Sequence, residues 1–131
     1  MPEDVLKKKI LVVDDEAGSA LLLKSGLTKQ GFEVFQAGNG LEALAAVKQL
    51  MPDLVVMDRM MPKMDGMKAC ALLKLDKRFS KIPVVMLTAS AEKADQKLSE
   101  QVGADAFLNK PVNMVELTQK IQELLTRSGA V

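Results

Sequence analysis

The chain has no histidine, no tryptophan and no tyrosine, and it has one cysteine, Cys70. Each absence removes a class of chemistry. Without histidine there is no Ser-His-Asp catalysis, no zinc site of the usual kind and no phosphohistidine of the protein's own. One cysteine excludes an intramolecular disulfide, and the simplest reading of Cys70 is a small buried hydrophobe. A surplus of charge is lacking too. Eighteen Lys and Arg stand against seventeen Asp and Glu, a formal charge of +1, so no global basic field points to nucleic acid or to an anionic membrane. No apolar run is long enough to span a bilayer, and the start from Met1 to Leu6, followed by Lys7-Lys8-Lys9, lacks the apolar stretch of a signal peptide. These features predict no membrane insertion and a cytoplasmic location.

What is present fits one domain. Roughly 100 to 200 residues per domain is usual, and 131 residues with no repeat, low-complexity tract or linker predict a single unit over 1–131 with a core of about 8–126. Strand and helix signals alternate through it. The first strand reads as Lys9 to Val13. A helix from Glu16 to Lys29 follows, with Ala20, Leu23 and Leu27 on one face and Gly31 as its stop. A thin second strand covers Glu33 to Gln36, and Asn39 is a plausible cap for a helix from about Gly40 to Leu50, broken at Pro52.

The third strand ends at Asp58. Turn chemistry from Arg59 to Gly66 leads into a helix from Met67 to about Leu75. A fourth strand begins near Ile82-Pro83, a polar helix covers about 91–102 and stops at Gly103, and Ala106 to Leu108 form a short fifth strand. The last helix starts at Asn113, with Glu116 as capping-box partner and Met114, Leu117, Ile121 and Leu124 at helical spacing. Strands one, three and four are near-continuous aliphatic runs, as parallel strands covered on both faces require, whereas two and five are short and more polar. The pattern predicts an α/β fold: a doubly wound, five-stranded parallel sheet in the flavodoxin-like order 2-1-3-4-5, with a ligand crevice between strands one and three.

Polar residues close the aliphatic runs: Asp14-Asp15 after the first, Asp58 after the third, Thr88 after the fourth and Lys110 after the fifth. In a parallel sheet all of them emerge at one edge, and three carboxylates, a hydroxyl and an ammonium then share a pocket. Carboxylates held together repel, so either one stays protonated or a hard divalent cation, most naturally magnesium, neutralises them. Phosphate oxygens would complete its shell, with Lys110 and Thr88 supplying a charge and a hydrogen bond. Asp58 is placed as a nucleophile that forms an aspartyl phosphate. Taken singly, each residue has a duller explanation. The Asp pair can cap a helix, Asp58 can open a turn, Thr88 can cap, Lys110 can be a solvated charge and Phe107 can be core. Four strand ends supplying compatible groups at one edge argue against coincidence.

The chain resembles the receiver domains of two-component response regulators, the CheY-like superfamily, and is similar to their stand-alone chemotaxis type. The resemblance rests on Asp14-Asp15, on Asp58 within Val56-Met57-Asp58-Arg59-Met60-Met61-Pro62-Lys63-Met64-Asp65-Gly66, on Thr88-Ala89, on Phe107 and on Lys110-Pro111, and it runs from about Lys8 to Leu125. It implies that a histidine kinase or histidine phosphotransfer protein donates a phosphoryl group to Asp58. It also implies that Mg2+ is held by Asp15, Asp58 and the Met60 backbone carbonyl, with Asp14 acting through water. Thr88 and Lys110 would bind the phosphoryl oxygens, and Thr88 and Phe107 would switch the face built by the 91–102 helix, the fifth strand and the last helix. Because the apolar stripe of the 91–102 helix is only Ala94, Leu98 and Val102, that helix is expected to move more than the last one.

The position after the nucleophile, often apolar in the family, holds Arg59, which would contact the partner or the phosphoryl group. Met60 and Ser90 occupy positions that the resemblance ties to hydrolysis of the phosphoaspartate. An unknown protein is the expected downstream partner, with no direct nucleic-acid contact and a monomer or weak dimer as the state. A phosphoacceptor with self-catalysed phosphorylation and dephosphorylation is expected rather than an enzyme turning over a separate substrate. The alternatives are a receiver excised from a larger regulator or hybrid histidine kinase, an aspartyl-phosphate phosphatase or phosphotransferase, and phospho-independent binding. A chain from Met1 to Val131 is compatible with a complete single-domain protein.

Overall fold

The computed structural model describes residues 7–61, 63–89, 97, 98 and 100–127. In chain order its elements are β1 (Lys9–Val13), α1 (Ala17–Lys29), β2 (Glu33–Ala37), α2 (Gly40–Leu50), β3 (Leu54–Asp58), α3 (Gly66–Leu75), β4 (Val84–Thr88), β5 (Ala106–Asn109) and the C-terminal helix α4 (Met114–Arg127). Residues 97, 98, 100 and 101 are helical as well. The other expectations for the 91–102 helix, including Ala94, and that for Ser90 fall outside the described residues. The strands form one parallel sheet in the order β2-β1-β3-β4-β5, as predicted.

The two-residue period of the strands divides their side chains between two cores. Ile10, Val12, Leu54, Val56, Val85 and Leu87 face α1 and α4, where Leu23, Leu27, Leu117, Ile121 and Leu124 meet them. The alternate residues Leu11, Val13, Val55, Met57, Val84 and Met86 face α2 and α3, meeting Ala43, Val47, Cys70 and Leu73. Every residue of β3 and β4 is buried, whereas the edge strands β2 and β5 carry exposed positions. Covered parallel strands must be apolar on both faces, and edge strands are relieved of that demand.

Boundaries shift by a residue or two, for local reasons. Helix α3 starts at Gly66 rather than Met67 because the Asp65 carboxylate accepts the Lys68 N–H at 2.9 Å and caps it. Strand β4 starts at Val84, past Pro83, which has no N–H to donate. At α2 the expected cap is in place: Asn39 Oδ1 accepts the Glu42 N–H at 2.9 Å. That helix ends on Met51 in the left-handed conformation, one residue before Pro52. Gly31 and Gly103, both named as helix stops, have φ of +97° and +90°, which glycine adopts without a Cβ penalty. Asn113 Oδ1 accepts the Glu116 N–H at 3.1 Å at the head of α4. Four side chains of α4 are buried, Leu117, Ile121, Leu124 and Leu125, each contributing about 1.5–3 kcal/mol. Of the 91–102 stripe, Leu98 is 39% exposed and Val102 packs on the second core.

Candidate functional site

Strand register brings the polar ends together. Val13 pairs with Met57 across β1 and β3, so the next residues, Asp14 and Asp58, stand level at the carboxyl edge. Across β3 and β4, Asp58 pairs with Leu87, which places Thr88 one residue beyond. Thr88 in turn pairs with Asn109, placing Lys110 one further. The backbone N–H of Lys110 donates to the Thr88 carbonyl at 2.8 Å and ties these two strand ends.

Asp14, Asp15 and Asp58 each offer a carboxylate oxygen, and the three oxygens lie within 4.8 Å of one another; Asp14 and Asp58 are buried while Asp15 is exposed. Asp14 Oδ1 accepts the Glu16 N–H at 2.9 Å. Its Oδ2 is buried with no hydrogen-bond partner. Burial pushes the Asp14 carboxyl above its ordinary value, and the negative charges of Asp58 and Asp15 add to that, while the Glu16 hydrogen bond and the Lys110 charge oppose it. Asp58 Oδ1 accepts the Met60 N–H at 3.3 Å, and its Oδ2 accepts from Lys110 Nζ at 2.9 Å. For Lys110, burial pulls the ammonium's pKa down, but the Asp58 hydrogen bond and the charges of Asp58, Asp14 and Glu16 outweigh it and leave the value raised.

An all-oxygen donor set with a buried, unpartnered carboxylate oxygen suits a hard divalent cation. A cleft of about 330 Å3 adjoins the cluster, and Asp14 and Lys110 line it together with apolar residues that include Leu22, Leu87, Pro111 and Met114. Thr88 is buried at the end of β4. Phe107 stands level with Met86, is half-buried and packs against the second core. Met60 is 64% exposed, and Arg59 Nη1 donates to its sulfur at 3.3 Å.

Behind these groups stand backbone supports that the sequence pattern does not single out. The Gly66 N–H donates to the Arg59 carbonyl at 2.9 Å, and a Cβ on Gly66 would overlap the carbonyl oxygen of Asp58. The first turn of α3 therefore rests on the backbone of Asp58 itself. The sequence signal for this support is the glycine eight residues after Asp58, at the end of the run that carries the family resemblance.

The response regulator receiver domain model matches residues 10–122. The DNA-binding response regulator MtrA of Mycobacterium tuberculosis is 40% identical over 125 residues, covering 95% of this chain and 54% of that protein. The chain spans about half the length of the curated relatives it matches. Among solved structures, the chemotaxis response regulator CheY4 of Vibrio cholerae has a TM-score of 0.85 at 29% identity, covering 91% of this chain and 99% of that one. The receiver domain of a Pseudomonas aeruginosa sensor histidine kinase, which holds a magnesium ion in its active-site cleft, has a TM-score of 0.85 at 25% identity, covering 92% of this chain and 98% of that one. With a family model that spans most of the sequence and a sheet wound in the same order as predicted for that fold, the chain belongs to the response regulator receiver domain family.

Proposed function

We propose that Asp58 accepts a phosphoryl group from the phosphohistidine of a histidine kinase or histidine phosphotransfer protein, and that the modified domain controls a protein partner through the surface around β5 and α4. The observation that carries this reading is the 2.9 Å contact between Lys110 Nζ and Asp58 Oδ2 inside an acidic cluster. A carboxylate and a phosphoryl group repel each other, and an ammonium fixed beside the attacking group lowers that barrier. In the transfer a carboxylate oxygen of Asp58 bonds to phosphorus as the P–N bond breaks, and the electron pair leaves with the imidazole nitrogen. These 131 residues contain no histidine, so the donor imidazole lies outside them.

Asp15, Asp58 and the Met60 carbonyl would hold Mg2+, with Asp14 supporting them. Bound there, the ion would offset the charge of the carboxylates and of the phosphoryl oxygens. Support comes from the unpartnered Asp14 Oδ2 and the three clustered carboxylates. Thr88 would donate its hydroxyl proton to a phosphoryl oxygen opposite Lys110. Its backbone link to Lys110 would carry that movement into β5, where half-buried Phe107 would turn inward.

On this reading the chain is a phosphoacceptor with self-catalysed gain and loss of the phosphoryl group, without turnover of a separate substrate. It works in the cytoplasm, as a monomer or weak dimer, without touching nucleic acid directly. Among the described residues no helix is long and apolar enough to cross a membrane. A second reading, a receiver that works within a longer regulator or hybrid histidine kinase, is favoured by the length of the relatives; the chemistry at Asp58 is the same in both.

Intact-mass analysis after incubation with magnesium and acetyl phosphate tests the reading. A single phosphoryl adduct is expected, dependent on magnesium and absent in Asp58→Asn. An adduct that persists in that variant, or none in the parent, would overturn it.

A further inference from the structure

The turn between β2 and α2 contains none of the groups assigned a chemical role, yet it contacts Asp14 at one end and the loop that follows Asp58 at the other. At one end the Ala37 carbonyl accepts the Asp14 N–H at 3.1 Å. At the other, the Gly40 N–H donates to the Met64 carbonyl at 3.2 Å, in the loop that runs on from Asp58. A Cβ on Gly40 would lie 2.5 Å from that carbonyl oxygen and 2.8 Å from the Met64 Cβ. The approach therefore needs glycine, for lack of space rather than for backbone freedom.

The turn is stiff as well as close. Buried Asn39 accepts the Glu42 N–H at 2.9 Å and donates from Nδ2 to Glu42 Oε2 at 3.0 Å, while Glu42 Oε1 accepts the Gly38 N–H at 3.1 Å. All of these bonds lie between the turn and the first turn of α2, so the segment behaves as a rigid spacer.

We propose that Gly40 is a positioning residue for the cation site, setting the distance between the Asp14-Asp15 corner and the Asp58-Met60 loop through its contact with Met64. The inference rests on the reading of Asp14, Asp15 and Asp58 as a magnesium site. Magnesium demands near-octahedral oxygen geometry and calcium tolerates irregular shells. A spacer that acts on geometry therefore affects magnesium more than calcium, whereas a general loss of stability weakens both alike.

The test is a titration of the metal-free protein with Mg2+ and with Ca2+, followed by two-dimensional 15N NMR, for the parent, Gly40→Ala and Gly18→Ala. Magnesium binding is expected to weaken about tenfold in Gly40→Ala, the size typical of lost support behind metal ligands, with a smaller loss for calcium. Gly18→Ala, where a Cβ meets nothing within 4 Å, should match the parent. If Gly40→Ala does not fold, Asn39→Ala decides, since it frees the turn from the Glu42 N–H without adding atoms at the contact; its magnesium affinity should fall in the same direction. Unchanged magnesium affinity in the deciding variant, or equal losses for the two ions, would overturn the proposal. A parent that binds no magnesium would instead overturn the reading on which it rests.

Discussion

Lys110 Nζ and Asp58 Oδ2 lie 2.9 Å apart although 52 residues separate them in sequence, and the contact reaches from the end of β5 over β4 to the end of β3. The lysine thus neutralises part of the cluster's charge. Removing it in Lys110→Ala should slow phosphorylation of Asp58 by about 10²–10³-fold, the usual size of one lost preorganised charge. Magnesium affinity should rise in the same variant, because a competitor for Asp58 Oδ2 has gone. Phosphorylation time courses and metal titrations measure the two effects separately; a parallel loss of both would contradict the assignment.

Asp14 should be a stability liability in the metal-free protein. Its folded pKa is raised, chiefly by burial, from an ordinary 3.8. The folded state therefore holds the proton more tightly than the unfolded one, and stability is lost as pH rises through the folded value. At neutral pH, Asp14→Asn should stabilise the metal-free fold by roughly 1 kcal/mol, about 4 °C in melting temperature for a domain of this size. Magnesium affinity should fall at the same time. Thermal melts with and without magnesium check the opposite signs.

Cys70 is buried, and that burial pushes its thiol from 9.0 up to about 11, with Asp105 adding to the rise and Lys74 opposing it. The un-ionised thiol therefore stabilises the fold fully below pH 9.0 and loses that contribution as pH climbs toward about 11. Alkylation at mildly alkaline pH should be negligible for the folded chain and complete in denaturant, as mass spectrometry would read. Cys70→Ala should flatten the alkaline fall in unfolding free energy; an unchanged fall would assign it to other groups.

Lys74 offers a separation of stability from function. Its Nζ donates to the carbonyls of Ser80 and Ile82 at 3.2 and 2.7 Å and to Asp105 Oδ2 at 2.8 Å, and the same carboxylate oxygen accepts the Val84 N–H. These bonds sit where β4 and β5 begin, at the sheet edge opposite the acidic cluster. Lys74→Met should cost roughly 1–3 kcal/mol through unsatisfied carbonyls and carboxylate. Magnesium affinity and phosphorylation of the folded fraction should not change, as denaturant melts and titrations at low temperature would show.

Two kinds of feature differed in how legible they were. The parallel sheet was readable because β1, β3 and β4 must be apolar on both faces, which leaves unbroken aliphatic runs, while β2 and β5 stayed short and polar. The N-caps at Asn39 and Asn113 were readable because a cap acts within three residues. Asp65 caps equally well, but it lies inside a run whose turn chemistry hides the signal. Lys74 looked like any surface lysine of a helix, for its partners lie six, eight and 31 residues away.

The alternation of strands and helices, their order in the sheet and the chemical identity of the groups at the strand ends are legible in the residues alone, because periodicity, capping and burial on two faces act within or next to each element. Three-dimensional packing leaves Asp14 Oδ2 without a partner, pairs Lys110 with Asp58 and presses Gly40 against the Met64 carbonyl. Such distances follow from how segments far apart in the chain pack at the scale of single atoms. A few tenths of an ångström there separate a contact from a clash, and no local pattern encodes that difference.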